Sequence, residues 1–342
     1  MSRPKIFVTR PSVPKEGIDL LRQTCDVEVY DEEKPIPRDA LLKGVAGIDG
    51  LLCLLTDPID KEVLDAAGLQ LKVIATMSVG FDHIDIEECK KRKIAVSNTP
   101  HVSTDSVAEF TVLLMLAVGR RLFDSAAAIK NGEWVYSWSP LLFCGQGLKN
   151  ATVGIVGMGR IGQAVLKRLL PFGIAKALYY DVFHPIPPAE EMGAIYTPFE
   201  DLLKQSDYVV AMCNLSDETR GIFNKKAFGL MKNSAVFVNT SRGGVVNQDD
   251  LYDALKSGQI RAAGLDVMVP EPLPKDHKLT TLPNIAKYRS VSALVKEMGS
   301  EADLHGCFVI RGEKCDITFL LNVIDDLVHG ERHLMRGSNS IM

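Results

Sequence analysis

The sequence predicts an α/β protein built from two parallel-sheet domains. Short apolar runs alternate with helix-like stretches over the first hundred residues. The alternation restarts at Ala151 and continues to Val267, and a glycine loop joins the first strand and helix of that second series. Strands alternating with helices imply a parallel sheet wrapped on both faces. The 342 residues, 46% hydrophobic and 24% charged, allow two domains of ample core, at about 150 residues each.

In the first series, Ile6–Thr9 is a strand candidate, Lys15–Arg22 a helix after Pro14, and Val27–Tyr30 a second strand. Gly50–Leu55 and Leu71–Met77 are buried runs, the latter ending in the polar loop Ser78-Val79-Gly80-Phe81-Asp82. Ser103–Arg121 reads as a long helix capped by Ser103 or Thr104. It is apolar nearly all round (Val107, Phe110, Val112–Ala117), so it should be buried between other elements. Regular spacing weakens over 123–150, where Trp134, Tyr136, Trp138, Leu141, Leu142 and Phe143 cluster. Such an aromatic stretch is read as an interface arm rather than a free loop, because monomers seldom expose large apolar patches. The second series runs Thr152–Val156 (strand), Arg160–Phe172 (helix), Ala177–Tyr180 (strand) and Phe199–Lys204 (helix). It continues with Tyr208–Met212 (strand), Lys225–Met231 (helix), Ala235–Asn239 (strand), Asp249–Ser257 (helix, ended by Gly258) and Ala262–Val267 (strand).

The charge balance excludes some functions. Lys and Arg total 39 against 43 for Asp and Glu, a net charge of -4, which argues against nucleic acid or an anionic membrane as the main partner. No apolar run approaches the ~20 residues of a membrane span. The first residues enter a strand with no signal-like segment. Seven cysteines, with no C-x-x-C pair, suit a reducing cytoplasmic setting. No metal site is expected.

Gly157-Met158-Gly159-Arg160-Ile161-Gly162 fits G-x-G-x-x-G between a strand and a helix, and Asp181 follows the next strand, nineteen residues beyond Gly162. Glycines there permit a tight turn and a close backbone approach to a pyrophosphate, whose charge meets a helix N-terminus. The alternative is a glycine-rich turn without ligand. A dinucleotide site is the favoured reading, with Arg160 and Ile161 in its loop. Asp181 can accept from both ribose hydroxyls of NAD(H) and would repel the extra phosphate of NADP(H), so NAD(H) is favoured over NADP(H).

The order of five segments resembles the D-isomer-specific 2-hydroxyacid dehydrogenases, most closely their glyoxylate/hydroxypyruvate reductase branch. The segments are Met77–His83, Asn98-Thr99-Pro100, Gly157–Gly162, Asn239-Thr240-Ser241-Arg242-Gly243, and Gly264–Val267 with Pro270-Glu271-Pro272. The resemblance implies two Rossmann-like domains with the active-site cleft between them, and a homodimer. Residues 1–100 would be the substrate-binding, flavodoxin-like domain, and 101–284 the NAD(P)-binding domain with a dimerisation arm at 123–150. Small 2-oxo acids would be reduced by NAD(P)H.

A 2-oxo acid needs a cation for its carboxylate and carbonyl oxygen, and Arg242 offers a planar fork of donors at a strand end. By resemblance, Arg242 takes that role, and Ser78 with the Val79 and Gly80 backbone holds the carboxylate. Asp266 would meet the nicotinamide carboxamide, while Asn214 and Thr240 line the cofactor cleft. Glu271 resembles the carboxylate that raises the pKa of a histidine acid. That histidine is absent: its aligned position is Ser290, and no histidine lies between His277 and His305. Residues 285–342 form a divergent tail in place of the histidine segment and return helix, although Ile317–Val328 has helical spacing of its own. His305, His329 and His333 have the wrong spacing to substitute. Two readings follow: a 2-oxo acid reductase impaired by the missing acid, or an NAD(H)-binding dimeric partner protein on the same fold.

Overall fold

The computed structural model describes residues 2–287, and the chain divides between Ser103 and Thr104 into two compact units. The first unit holds strands β1 (Lys5–Val8), β2 (Asp26–Val29), β3 (Gly50–Cys53), β4 (Val73–Thr76) and β5 (Ala95–Ser97). Between them run helices α1 (Lys15–Thr24), α2 (Arg38–Gly44), α3 (Lys61–Ala67) and α4 (Ile86–Arg92). The strands form one parallel sheet in the order β2-β1-β3-β4-β5, the flavodoxin-like order. Alternation along β1 explains the two-sided core: Phe7 packs into one apolar cluster, Ile6 and Val8 into the other. Asp60 and Asp85 cap α3 and α4 by accepting from the Val63 and Glu88 N–H groups.

The second unit opens with α5 (Thr104–Gly119) and α6 (Leu122–Lys130), then β6 (Thr152–Val156), α7 (Arg160–Leu169), β7 (Lys176–Tyr180), α8 (Pro187–Glu191) and β8 (Ala194–Tyr196). It continues through α9 (Phe199–Gln205), β9 (Tyr208–Ala211), α10 (Lys225–Leu230), β10 (Val236–Asn239), α11 (Gln248–Lys256), β11 (Ala262–Leu265) and β12 (Ile285–Lys287). Its seven parallel strands lie in the order β12-β11-β10-β9-β6-β7-β8. Chain direction across the sheet therefore reverses between β6 and β9, the switch point where open α/β sheets bind ligands. Again the strands feed two cores: Tyr208, Val210, Val236 and Val238 on one face, Val209, Ala211 and Phe237 on the other. Fully burying a side chain such as Phe237 contributes about 1.5–3 kcal/mol.

Both sheets are parallel, as the alternation predicts, and the corrections are local. The helix expected over Arg160–Phe172 ends at Leu169, and a 3-10 turn, Leu170–Phe172, follows. Pro171 has no N–H to continue the α-helical ladder. The helix expected to reach Arg121 stops at Gly119, because Arg121 takes a left-handed φ of 56° and starts α6 instead. Thus part of the stretch read as an irregular arm is helical, and only 131–150 lacks regular structure. α5 is buried along most of its length, as its all-round apolar character requires. Among the described residues no helix is long and apolar enough to cross a membrane. Ser290, the Ile317–Val328 segment and the late histidines lie outside the described residues.

Candidate active site

The glycine loop leaves the carboxyl end of β6 and opens α7, with each glycine doing a different job. Gly157 has φ 98°, and a Cβ there would lie 2.5 Å from the Cys213 backbone nitrogen. A Cβ on Gly162 would lie 2.3 Å from the Gly157 carbonyl oxygen, so the first glycine lets the loop pass against the chain leaving β9 and the third lets α7 pack onto the loop. Gly159 differs: a Cβ there would meet nothing within 4 Å. It is exposed at the N-cap of α7 with no side chain capping that end, and the open space above it is where an anion can meet the helix N-terminus. Arg160 is exposed on the first turn, while Ile161 packs into the core.

Asp181, just beyond β7, links loop and strand. One carboxylate oxygen accepts from the Met158 N–H at 2.7 Å and the other from the Phe183 N–H at 3.0 Å. Each oxygen keeps a second lone pair, so both can also accept from hydroxyls. Asp181 lies on the β7 side of the switch point, and the strand ends of β9, β10 and β11 lie on the other side.

On that other side the β10 end is wired by Asn239, a fully buried residue the sequence reading did not single out. Its Oδ1 accepts from the Ser241 N–H and hydroxyl, and its Nδ2 donates to the Arg242 carbonyl at 2.9 Å. Its signal in the sequence is a polar amide at the end of an apolar strand, heading the Asn239–Gly243 segment. Arg242 is half-buried and donates from one guanidinium nitrogen to the Ser241 carbonyl at 2.9 Å. Thr240 turns its hydroxyl inward, 2.7 Å from the Thr111 hydroxyl on α5, so it joins helix to sheet rather than presenting a hydroxyl to a ligand. Asn214 lies exposed beyond β9, its carbonyl accepting from the Thr219 hydroxyl.

After β11 come the two acids. Asp266 is 8% exposed, and its buried Oδ1 has no hydrogen-bond partner among the described residues. Burial first, then the nearby Glu271 charge, pushes its carboxyl up to about 7. Glu271 is exposed and accepts from the Met268 N–H at 2.8 Å. The Arg242 loop and this acidic segment touch: a Cβ on Gly243 would lie 2.3 Å from the Met268 carbonyl oxygen, so only glycine permits the approach.

In the first unit, the 78–80 loop ties its carbonyls inward. The Ser78 carbonyl accepts from the Thr99 N–H, the Val79 carbonyl from Asn98 Nδ2 and the Gly80 carbonyl from the Ser78 hydroxyl. The Val79 and Gly80 N–H groups have no acceptor among the described residues. Ser78 is buried and its hydroxyl serves the loop itself, leaving the two amides as donors for an anion.

Residues 112–287 match the family D-isomer specific 2-hydroxyacid dehydrogenase, NAD binding domain. The glyoxylate reductase/hydroxypyruvate reductase of Homo sapiens is 53% identical over 282 residues, 82% of this chain and 85% of that protein. The chain belongs to the D-isomer specific 2-hydroxyacid dehydrogenase family. Its fold is similar to a putative D-isomer specific 2-hydroxyacid dehydrogenase of Polaromonas, with a TM-score of 0.80, 31% identity, and coverage of 99% and 100% of the two chains. The Aquifex aeolicus D-lactate dehydrogenase complexed with NAD and lactic acid superposes with a TM-score of 0.77 at 27% identity, covering 98% of each chain.

Within this family the second unit is the NAD-binding domain, and its residues fit the dinucleotide on their own terms. The open Gly159 cradle suits a pyrophosphate, and the orphaned Asp266 oxygen suits an amide donor. Among the described residues no group of three or more His, Cys, Asp or Glu side chains is placed to hold a metal ion.

Proposed function

We propose that this dehydrogenase reduces small 2-oxo acids of the glyoxylate and hydroxypyruvate type with NADH. The observation that carries the reading is that the open glycine cradle, Arg242 and the orphaned Asp266 oxygen stand along the carboxyl edge of one sheet. The glycine cradle would hold the pyrophosphate, Asp181 the adenosine ribose, and Asp266 the carboxamide. Thr240 and Asn214 supply strand-end backbone between them. When bound, the reduced nicotinamide supplies the hydride that adds to the substrate carbonyl carbon. Arg242 draws electron density onto the carbonyl oxygen, because a planar cation stabilises the charge that develops there. The Val79 and Gly80 amides would take the carboxylate. Glu271 would orient a histidine acid in the family pattern, but Ser290 stands in the aligned position. A serine hydroxyl is too weak an acid near pH 7 to replace imidazolium, so water must deliver the proton and the rate suffers. NADH oxidation with glyoxylate or hydroxypyruvate, run beside NADH binding, tests this. Binding with no turnover at any protein concentration would favour the second reading, an NAD(H)-binding partner protein, which the Ser290 substitution motivates.

Asp181 sets the cofactor preference. NADH is expected to bind more tightly than NADPH, because a carboxylate repels the additional phosphate. Asp181→Ala should narrow that gap, and fluorescence titration showing NADPH bound more tightly by the unaltered chain would refute the assignment.

We further propose that the chain is a homodimer in the cytosol. Trp134, Tyr136, Trp138 and Leu141 are 54–82% exposed on the single chain, and a two-fold partner covering them would remove apolar surface from water. The five described cysteines are all free, in keeping with a reducing compartment. Sedimentation equilibrium at about 10 μM protein should find the dimer, as expected for affinities of micromolar or better. A monomer under those conditions would count against the arm as an interface.

A further inference from the structure

Asp266 and Glu271 sit on a stretch, 266–277, that contains neither helix nor strand. Val269, midway between them, is 52% exposed. Such a segment holds its shape only where other elements tether it. One tether is the Asp266 N–H, which donates to the Asn239 carbonyl at 3.0 Å, and another is the flush contact of Gly243 on Met268. The third is Gln248, the first residue of α11. Its side-chain Oε1 accepts from the Val269 N–H at 2.8 Å, and its Nε2 donates to the Val269 carbonyl. One primary amide thus pairs with both backbone groups of a single residue, as a neighbouring strand would.

The helix behind the amide is itself fixed. Asn247 caps it by accepting from the Asp249 and Asp250 N–H groups, and Leu251 and Leu255 are buried in the core that also holds Phe237 and Leu265. The clamp therefore extends the rigidity of helix and sheet to the exposed segment carrying the acids.

We infer that Gln248 is a positioning residue, whose amide clamp on Val269 holds the Asp266–Glu271 segment so that the Asp266 carboxylate faces the nicotinamide end of the cofactor. The inference rests on the cofactor orientation proposed above. Gln248 itself touches no ligand. It acts by preorganisation, since a segment already ordered does not have to be ordered by the ligand.

The test compares two ligands on the full chain, NADH and ADP-ribose, which lacks the nicotinamide. Gln248→Leu removes both bonds and is expected to raise the NADH Kd about tenfold, roughly the loss of two exposed hydrogen bonds. ADP-ribose should stay within about twofold, because the glycine cradle and Asp181 lie on the other side of the switch point. Gln248→Glu keeps an acceptor for the Val269 N–H, and its NADH affinity should fall between the two. Equal weakening of both ligands by Gln248→Glu would mark a general structural role and overturn the inference, as would unchanged NADH binding in Gln248→Leu. If the unaltered chain binds NADH no more tightly than ADP-ribose, the assignment of Asp266 to the nicotinamide fails, and that result needs no substitution to see it.

Discussion

Replacing Arg242 with alanine is expected to weaken oxalate binding to the NAD-loaded chain by about 30-fold or more. Truncating one partner of a hydrogen-bonded charge pair costs about 2–5 kcal/mol, and each 1.4 kcal/mol is tenfold. The loss should be specific. Arg242 follows β10, whose end is held by Asn239 through bonds to the Ser241 N–H and the Arg242 carbonyl. Those bonds involve the Arg242 backbone and survive the substitution, so dinucleotide affinity should change little. Calorimetric titration of oxalate into the NAD-loaded protein reads the effect directly. Equal oxalate affinity in the variant would show that Arg242 serves neither the carboxylate nor the carbonyl.

The second large effect is a gain. General acid catalysis by a positioned side chain contributes about 10²–10⁴-fold, so the chain should reduce glyoxylate two to four orders of magnitude more slowly than a family member with the histidine. Restoring the pair as Arg289→Pro with Ser290→His should raise NADH turnover at least about tenfold. Both positions lie outside the described residues. The rise should shrink when Glu271→Gln is added, since the carboxylate is what holds the imidazole in its charged form. Turnover by the unaltered chain at ordinary rates of about 1–10³ per second would mean that another group already supplies the proton.

Much of this protein was legible before folding. Strand–helix alternation and continuous apolar runs such as Ile6-Phe7-Val8, buried on both faces, determined two parallel sheets, because apolar runs flanked by helices can be covered only on both faces. The glycine pattern, Asp181 and Arg242 were visible as types at characteristic positions. Chain-local rules also account for the misplaced ends: Pro171 inside the expected helix was a readable stop, and the left-handed Arg121 was not, because nothing in a lone arginine marks positive φ.

Tertiary structure decided what those residues can do. Sequence order places Asn239, Gln248 and Met268 far from one another, and only β10 lying beside β11 brings the Arg242 loop onto the segment that carries Asp266 and Glu271. Thr240 is expected by resemblance to line the cofactor cleft, and α5 packing across the sheet is what gives its hydroxyl the Thr111 hydroxyl as a partner. The unpartnered Asp266 oxygen exists because the surrounding chain removes water from it, and that burial, with the Glu271 charge, raises its pKa. A residue type states which chemistry is available. Burial and long-range neighbours, which depend on the whole chain closing, determine whether that chemistry is used by the fold or left for a ligand.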